Sequence, residues 1–276
     1  MTTTPTIGVF DSGFGGLTVL RALIDRLPRA RYAFLGDTAR LPYGSKSRRT
    51  IARYAAESAQ FLVNEQGAEF LVIACNTASA LALDAIQEAV SVPVLGVIEP
   101  GAEAARAATR TGDVQVIATD ATVHSHAYLA ACQARGLRAI EKACPLLVPL
   151  VEEGWTNHPV TREVIEIYLN ELRAEAAAHG LNPDTLVLGC THYPLLRDLI
   201  KRAVRPGVKV IDSAESTAET AVQLFNGRGA APPAKRTAIE TEVRCFATDS
   251  VEKFERLGSH FLGRPVGNVT LVDLGG

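Results

Sequence analysis

The amino-acid sequence predicts an α/β protein of two similar lobes, each a mainly parallel sheet flanked by helices, with a functional cleft between them. Short apolar runs alternate along the chain with stretches of helical spacing, the order that builds parallel sheets. Two segments, Leu71-Val-Ile-Ala-Cys-Asn-Thr-Ala-Ser79 and Leu186-Val-Leu-Gly-Cys-Thr-His-Tyr-Pro194, repeat one pattern of strand, cysteine, polar residues and helix, which suggests two related halves. A length of 276 residues has room for two such lobes, although one α/β unit is also within reach.

In chain order, Thr6 to Phe10, Arg31 to Leu35, Phe70 to Ala74, Pro93 to Val97, Val114 to Ala118, Thr185 to Leu188 and Val208 to Ile211 read as buried strands. Leu17 to Leu27, Thr50 to Gln66, Ala78 to Ala89, Val160 to His179 and Pro194 to Val204 carry helical spacing. The stretch Asn226 to Lys235 (NGRGAAPPAK) is small and Gly/Pro-rich and reads as a loop, after which Val243 to Thr248 and Val269 to Leu274 read as edge strands. If the strand Val208 to Asp212 returns to the first sheet, the helix Ser216 to Phe225 and the C-terminal segment complete the N-terminal lobe. The expected division is then 1–98 plus 211–276 against 99–210.

Composition bounds the function. Hydrophobic residues make up 47% and charged residues 21%, so a sizeable core can form without disulfides or metal. A net charge of −2 without basic runs argues against nucleic acid or an anionic membrane as primary partner. The first residues, MTTTPTIGVF, lack the pattern of a signal peptide, and no apolar run reaches the ~20 residues of a membrane span, so a cytoplasmic protein is expected. Five cysteines, odd in number and far apart, read as reduced thiols.

Cys75 and Cys190 each fall at the C-terminal end of a strand with a helix beyond, where open α/β sheets place ligands. A helix N-terminus lowers a thiol pKa, which would poise either group for proton transfer. A lone cysteine more often packs as a small hydrophobe, but Asn76-Thr77 and Thr191-His192 put hydrogen-bonding groups where a core strand has apolar ones. Cys132, Cys144 and Cys245 lack such a context and are assigned to packing or surface. Asp11-Ser12-Gly13-Phe14-Gly15-Gly16 follows the first strand and lets backbone approach a small anion, without the spacing of a dinucleotide or Walker loop. Asp11 can hold an ammonium, tune a thiol or cap a helix. Pro42-Tyr43-Gly44 forms a turn suited to a carboxylate. Thr119, Thr122 and Ser125 add hydroxyls in the second half, where capping is the plainer role. Glu152 and Glu153 precede Gly154-Trp155 at a loop or helix end. His124, His126 and His192 have no partners at metal-ligand spacing, so no metal is expected.

Taken together, DSGFGGLTVL, GDTARLPYG, VIACNTAS, VPLVEEG and VLGCTHYPLL closely resemble the glutamate racemases of the aspartate/glutamate racemase superfamily, and CFATDSVEKFERLGSHFLG is similar to that family's closing strand and helix. The Thr-His pair after the second cysteine resembles the glutamate branch, whereas aspartate racemases more often carry Thr-Glu. The resemblance implies racemisation without a cofactor, with Cys75 and Cys190 as bases on opposite faces of the substrate α-carbon. Asp11 and His192 would support them, and Glu152 would assist. It further implies substrate contacts from Ser12, Tyr43, Gly44, Asn76, Thr77 and Thr191, with Thr119 and Thr122 as additional candidates. IATDATVHSHAY departs from the glycine-containing version of the family at that strand end. The implied role is supply of D-glutamate for peptidoglycan, by an enzyme that is often a homodimer. The alternatives are an aspartate or other amino-acid racemase, a hydrolase or ligase with one nucleophilic cysteine and His192 as its base, and a two-lobed amino-acid-binding protein without chemistry.

Overall fold

The computed structural model describes residues 5–226 and 241–275. The Gly/Pro-rich stretch expected to be a loop lies, from residue 227 on, outside the described residues. Two sheets organise the rest, and every strand pairing in them is parallel. The first has the order β10-β9-β2-β1-β3-β4, from β1 (Thr6–Asp11), β2 (Arg31–Gly36), β3 (Phe70–Ile73), β4 (Val94–Gly96), β9 (Val243–Ala247) and β10 (Val269–Leu271). The second has the order β6-β5-β7-β8, from β5 (Asp113–Ala118), β6 (Arg138–Ala143), β7 (Thr185–Gly189) and β8 (Lys209–Asp212).

This order positions the site. In the first sheet the chain leaves β1 to one side for β2 and returns to its other side for β3. In the second it leaves β5 for β6 and returns for β7. Each sheet therefore has a switch point, β1/β3 and β5/β7, where diverging crossovers open a crevice beyond the strand C-termini. Asp11 closes β1, Cys75 follows β3, Thr119 follows β5 and Cys190 follows β7.

Three expectations need correction. The strand at 208–212 does not return to the first sheet: β8 pairs with β7, Leu186 opposite Val210. It is α11 (Ser213–Asn226) that crosses back, setting Ala214, Ala218, Ala221 and Phe225 into the apolar core, with the Phe225 ring 5.0 Å from that of Phe70 in β3. Of β9 and β10, both expected at an edge, β10 alone is one among the described residues, because β9 is flanked by β2 and β10. The helical stretch at 78–89 is two helices, α3 (Asn76–Leu81) and α4 (Leu83–Ala89), broken at Ala82 (φ −136°).

Other helices follow their patterns more closely. α1 (Leu17–Arg26) buries Leu17, Leu20, Leu23 and Ile24 at helical spacing. α2 (Arg48–Gln60) begins where Ser47 accepts the Thr50 N–H, and continues as a π-turn over Phe61–Glu65. α9 (Pro159–Ala178) starts with proline, which lacks the N–H a first turn cannot use. No described helix is long and apolar enough to cross a membrane.

All five cysteines are free and buried. Cys144 and Cys245 sit in the apolar cluster that runs through both sheets, and burial pushes each thiol up to about 12. The sign of the consequence is fixed. Below pH 9 folded and unfolded chains both keep these protons, whereas between 9 and about 12 only the folded chain does. Thermal unfolding midpoints measured from pH 7 upward should therefore fall once pH passes 9, and Cys144→Ala and Cys245→Ala should flatten that fall.

Candidate active site

Each candidate side chain reaches the cleft for a local reason. Cys75 is the N-cap of α3, where the Ala78 N–H donates to its Sγ at 3.4 Å. Its thiol donates to Ser12 Oγ at 3.3 Å, tying it to the loop after β1. Asp11 is buried, with Oδ2 accepting the Gly13 N–H at 3.0 Å and Oδ1 without a partner among the described residues. That loop must be glycine-rich. A Cβ on Gly16 would lie 2.6 Å from that of Asp11, and one on Gly15 would run into Thr191 Oγ1 and the His192 ring.

Cys190 follows β7, and its surroundings differ from those of Cys75. Thr191 and His192 intervene before a 3-10 turn (Tyr193–Leu196), and only then does α10 (Arg197–Ala203) begin. Its Sγ lies 3.9 Å from His192 Nδ1, whose Nε2 meets Glu152 Oε1 at 3.3 Å. Glu152 is the last residue of α8 (Leu147–Glu152), and Lys253 Nζ reaches its Oε2 at 3.4 Å. The Phe261 ring packs edge-on against His192 at 5.0 Å. The result is a chain of contacts from thiol to imidazole to carboxylate to ammonium.

The hydroxyl groups cluster between the lobes. Thr77 Oγ1 is 3.1 Å from Thr119 Oγ1 and 3.3 Å from Thr122 Oγ1, and the last two are 2.9 Å apart. Thr119 occupies an N-cap position but makes no side-chain cap, so its hydroxyl is turned to this cluster instead. Gly44, in the 3-10 turn Tyr43–Ser45, faces Thr119. The Tyr43 hydroxyl is engaged elsewhere: it donates to Asp37 Oδ2 at 2.5 Å, leaving ring and backbone for any ligand. Ser125 caps locally, accepting the Ala127 N–H.

The electrostatics reverse one expectation. Burial raises the Cys75 thiol to about 11, and the nearby Asp11 carboxylate adds to the shift. Burial also raises Cys190, helped by the charges of Cys75 and Asp11. The helix N-terminus at Cys75 is thus outweighed, because desolvation of a thiolate costs more than one capping N–H returns. Burial pushes the Asp11 carboxyl above its ordinary value, against the pull of His192 and of the Gly16, Gly13 and Ser12 backbone N–H groups. Burial acts the same way on Glu152, but there His192 and Lys253 prevail and hold the carboxyl below its ordinary value.

Sequence reasoning missed several members. Thr18 donates to Gly15 O at 3.0 Å and to Thr191 O at 3.2 Å, joining the two cysteine-bearing halves. Tyr128 donates to Asn76 Oδ1 at 2.8 Å. Lys253 comes from α12 (Val251–Leu262), far away in the chain, and nothing in its local pattern marks it. The cavity of about 260 Å³ between Arg40, Tyr54 and Leu274 contains none of the cysteine cluster and lies apart from this site.

Two parallel-sheet lobes with a buried thiol at the switch point of each define a class of α/β protein built around a shared cleft. Comparison with known proteins agrees. The family model described as Asp/Glu/Hydantoin racemase matches residues 7–221. The glutamate racemase of Koribacter versatilis is 54% identical, over 99% of this chain and 98% of its own. The structure of glutamate racemase isoform RacE1 from Bacillus anthracis superposes with a TM-score of 0.88 at 38% identity, covering 98% of each chain. That of the Francisella tularensis glutamate racemase in complex with D-glutamate gives 0.86 at 35%, again over 98% of each. The chain belongs to the Asp/Glu/Hydantoin racemase family and, within it, to the glutamate racemases, which are isomerases.

Removing the Glu152 charge tests whether its contact with His192 bears on turnover. Glu152→Gln should lower kcat about tenfold, the worth of one charge-assisted hydrogen bond. L- and D-glutamate have equal free energy in solution, so kcat/KM must fall equally in both directions. Because Glu152 meets His192, which lies beside Cys190 and not Cys75, kcat and KM taken separately should split between the enantiomers; steady-state kinetics from each side reads this.

Proposed function

We propose that this protein interconverts L- and D-glutamate without a cofactor, Cys75 and Cys190 acting as base and acid on opposite faces of the α-carbon. The observation that carries the reading is the pairing itself: two buried thiols, one from each sheet, near enough that the charge of one bears on the other. One thiolate removes the α-proton while the other thiol delivers a proton to the opposite face, and reversal exchanges their roles.

Both thiols are protonated in the free protein at neutral pH, so binding has to generate the thiolate. A substrate ammonium seated against the free Asp11 Oδ1 would offset the carboxylate that raises both thiols. Asn76, Thr77 and Thr191 are suited to stabilise charge growing on the α-carboxylate. Ser12, the 43–44 turn and the Thr119 and Thr122 hydroxyls complete the binding set, and His192 with Glu152 serves Cys190. The reading divides the chain after residue 98 and, since β8 stays with the second sheet, after 212 rather than 210.

The role that follows is supply of D-glutamate for peptidoglycan by a cytoplasmic homodimer. The test is circular dichroism with L- and then D-glutamate in deuterium oxide, without added cofactor. Loss of optical signal from both enantiomers with α-deuterium uptake supports the racemase; no change from either returns the protein to a binding role.

A further inference from the structure

Tyr128 lies in α7 (Ala127–Gln133) of the second lobe and is fully buried. Its ring rests on Gly189, the residue before Cys190: a Cβ there would come within 2.9 Å of Cε2. On another side it rests on Gly101 of α5 (Ile98–Ala108), where a Cβ would lie 3.1 Å from Cε1. Its hydroxyl crosses to the first lobe and donates to Oδ1 of Asn76, the residue after Cys75, at 2.8 Å. One side chain thus touches both cysteine-bearing turns. Burial raises the Tyr128 hydroxyl most, with smaller contributions from the charges of Cys132 and then Cys190.

The bond has a directional consequence. An amide presents an acceptor on one side and a donor on the other, and which faces the cleft depends on what holds it. With Oδ1 occupied by Tyr128, the donor Nδ2 is left buried and without a partner among the described residues. A buried unpaired donor is costly, and a ligand acceptor would remove the cost.

We propose that Tyr128 is a positioning residue for racemisation: its hydroxyl fixes the Asn76 amide with Nδ2 available to the substrate carboxylate, while its ring sets the Gly189–Cys190 turn against it. The inference rests on the two-cysteine reading above. Without the hydroxyl the amide is free to rotate, and in the flipped state it presents an oxygen to a carboxylate.

Tyr128→Phe keeps the ring on Gly189 and removes only the hydroxyl. We expect kcat/KM for both enantiomers to fall about tenfold, the scale of one lost directional hydrogen bond, with the greater part in kcat. A structural role alone would lower the melting midpoint without coupling to Asn76. The deciding measurement is therefore the double-mutant cycle with Asn76→Ala. Tyr128→Phe should cost nothing further once the amide is gone. Losses that multiply fully, full activity in Tyr128→Phe, or full activity in Asn76→Ala would each overturn the proposal. Cys75→Ser and Cys190→Ser run in parallel keep the two ideas apart: active serine variants refute the two-cysteine reading, while inactive ones beside an unimpaired Tyr128→Phe refute only this inference.

Discussion

Cys75→Ser and Cys190→Ser should each lower racemisation by about 10³-fold or more, the upper range for a positioned acid or base. Serine keeps the shape and the hydrogen bonds: at position 75 a hydroxyl can still meet Ser12 and cap the Ala78 N–H. What it cannot do is ionise in a pocket that already lifts a thiol to about 11. On the proposed mechanism both directions need both groups, so neither enantiomer should be spared. The half-reactions, however, should separate. A variant with one thiol left can still remove and return the α-proton on the face that thiol addresses, so deuterium should enter one enantiomer without inversion, and the opposite enantiomer in the other variant. Nuclear magnetic resonance of recovered glutamate reads this. Exchange into both enantiomers by a single variant would show that the two thiols do not divide the faces between them.

The sequence made the strands at the heart of each sheet legible, and for a physical reason. Strands buried on both faces, such as β1 (TIGVFD) and β7 (TLVLG), are apolar through their middles, and the polar residues at their ends then mark where a cleft can open. β6 (RAIEKA) escaped notice because it is an edge strand in which half the residues are charged, with neither a continuous apolar run nor a strict alternation to mark it. α5 escaped because Pro100 and Gly101 interrupt its first turns; Gly101 is there to receive Tyr128.

The site divides in the same way. Groups beside the cysteines, Asp11, Ser12, Asn76, Thr77, Thr191 and His192, sit on turns whose composition announces polar work at a strand end. Glu152 was legible through family resemblance rather than through its own surroundings. Tyr128, Thr18 and Lys253 act across the lobes, over separations of 52, 173 and 101 residues, and no local pattern encodes such contacts. The thiol pKa values were misjudged for a related reason. A helix N-terminus is visible in a sequence, whereas the depth at which a cysteine is buried depends on everything packed around it.

That depth makes Asp11 the most informative remaining position. Its carboxylate raises both thiols, so in the free protein it opposes the ionisation that the proposed two-thiol mechanism requires. On that mechanism an arriving cation would neutralise it, and its Oδ1, without a partner among the described residues, is the place for one. Asp11→Asn preserves the size of the side chain and an oxygen able to accept the Gly13 N–H, while removing the charge. Two effects of opposite sign should follow. Turnover should fall by about 10²-fold if Asp11 is the proposed counterion of the substrate ammonium, which would lose its partner and the substrate its orientation. Alkylation of Cys75 by iodoacetamide near pH 8, followed by mass spectrometry in the absence of substrate, should become faster, because the thiol pKa drops once the neighbouring negative charge is gone. A variant that loses turnover with no change in Cys75 reactivity would reduce Asp11 to a substrate anchor. Slower alkylation together with lost turnover would mean the loop at 12–16 had moved, and the role would pass to the backbone contact with Gly13.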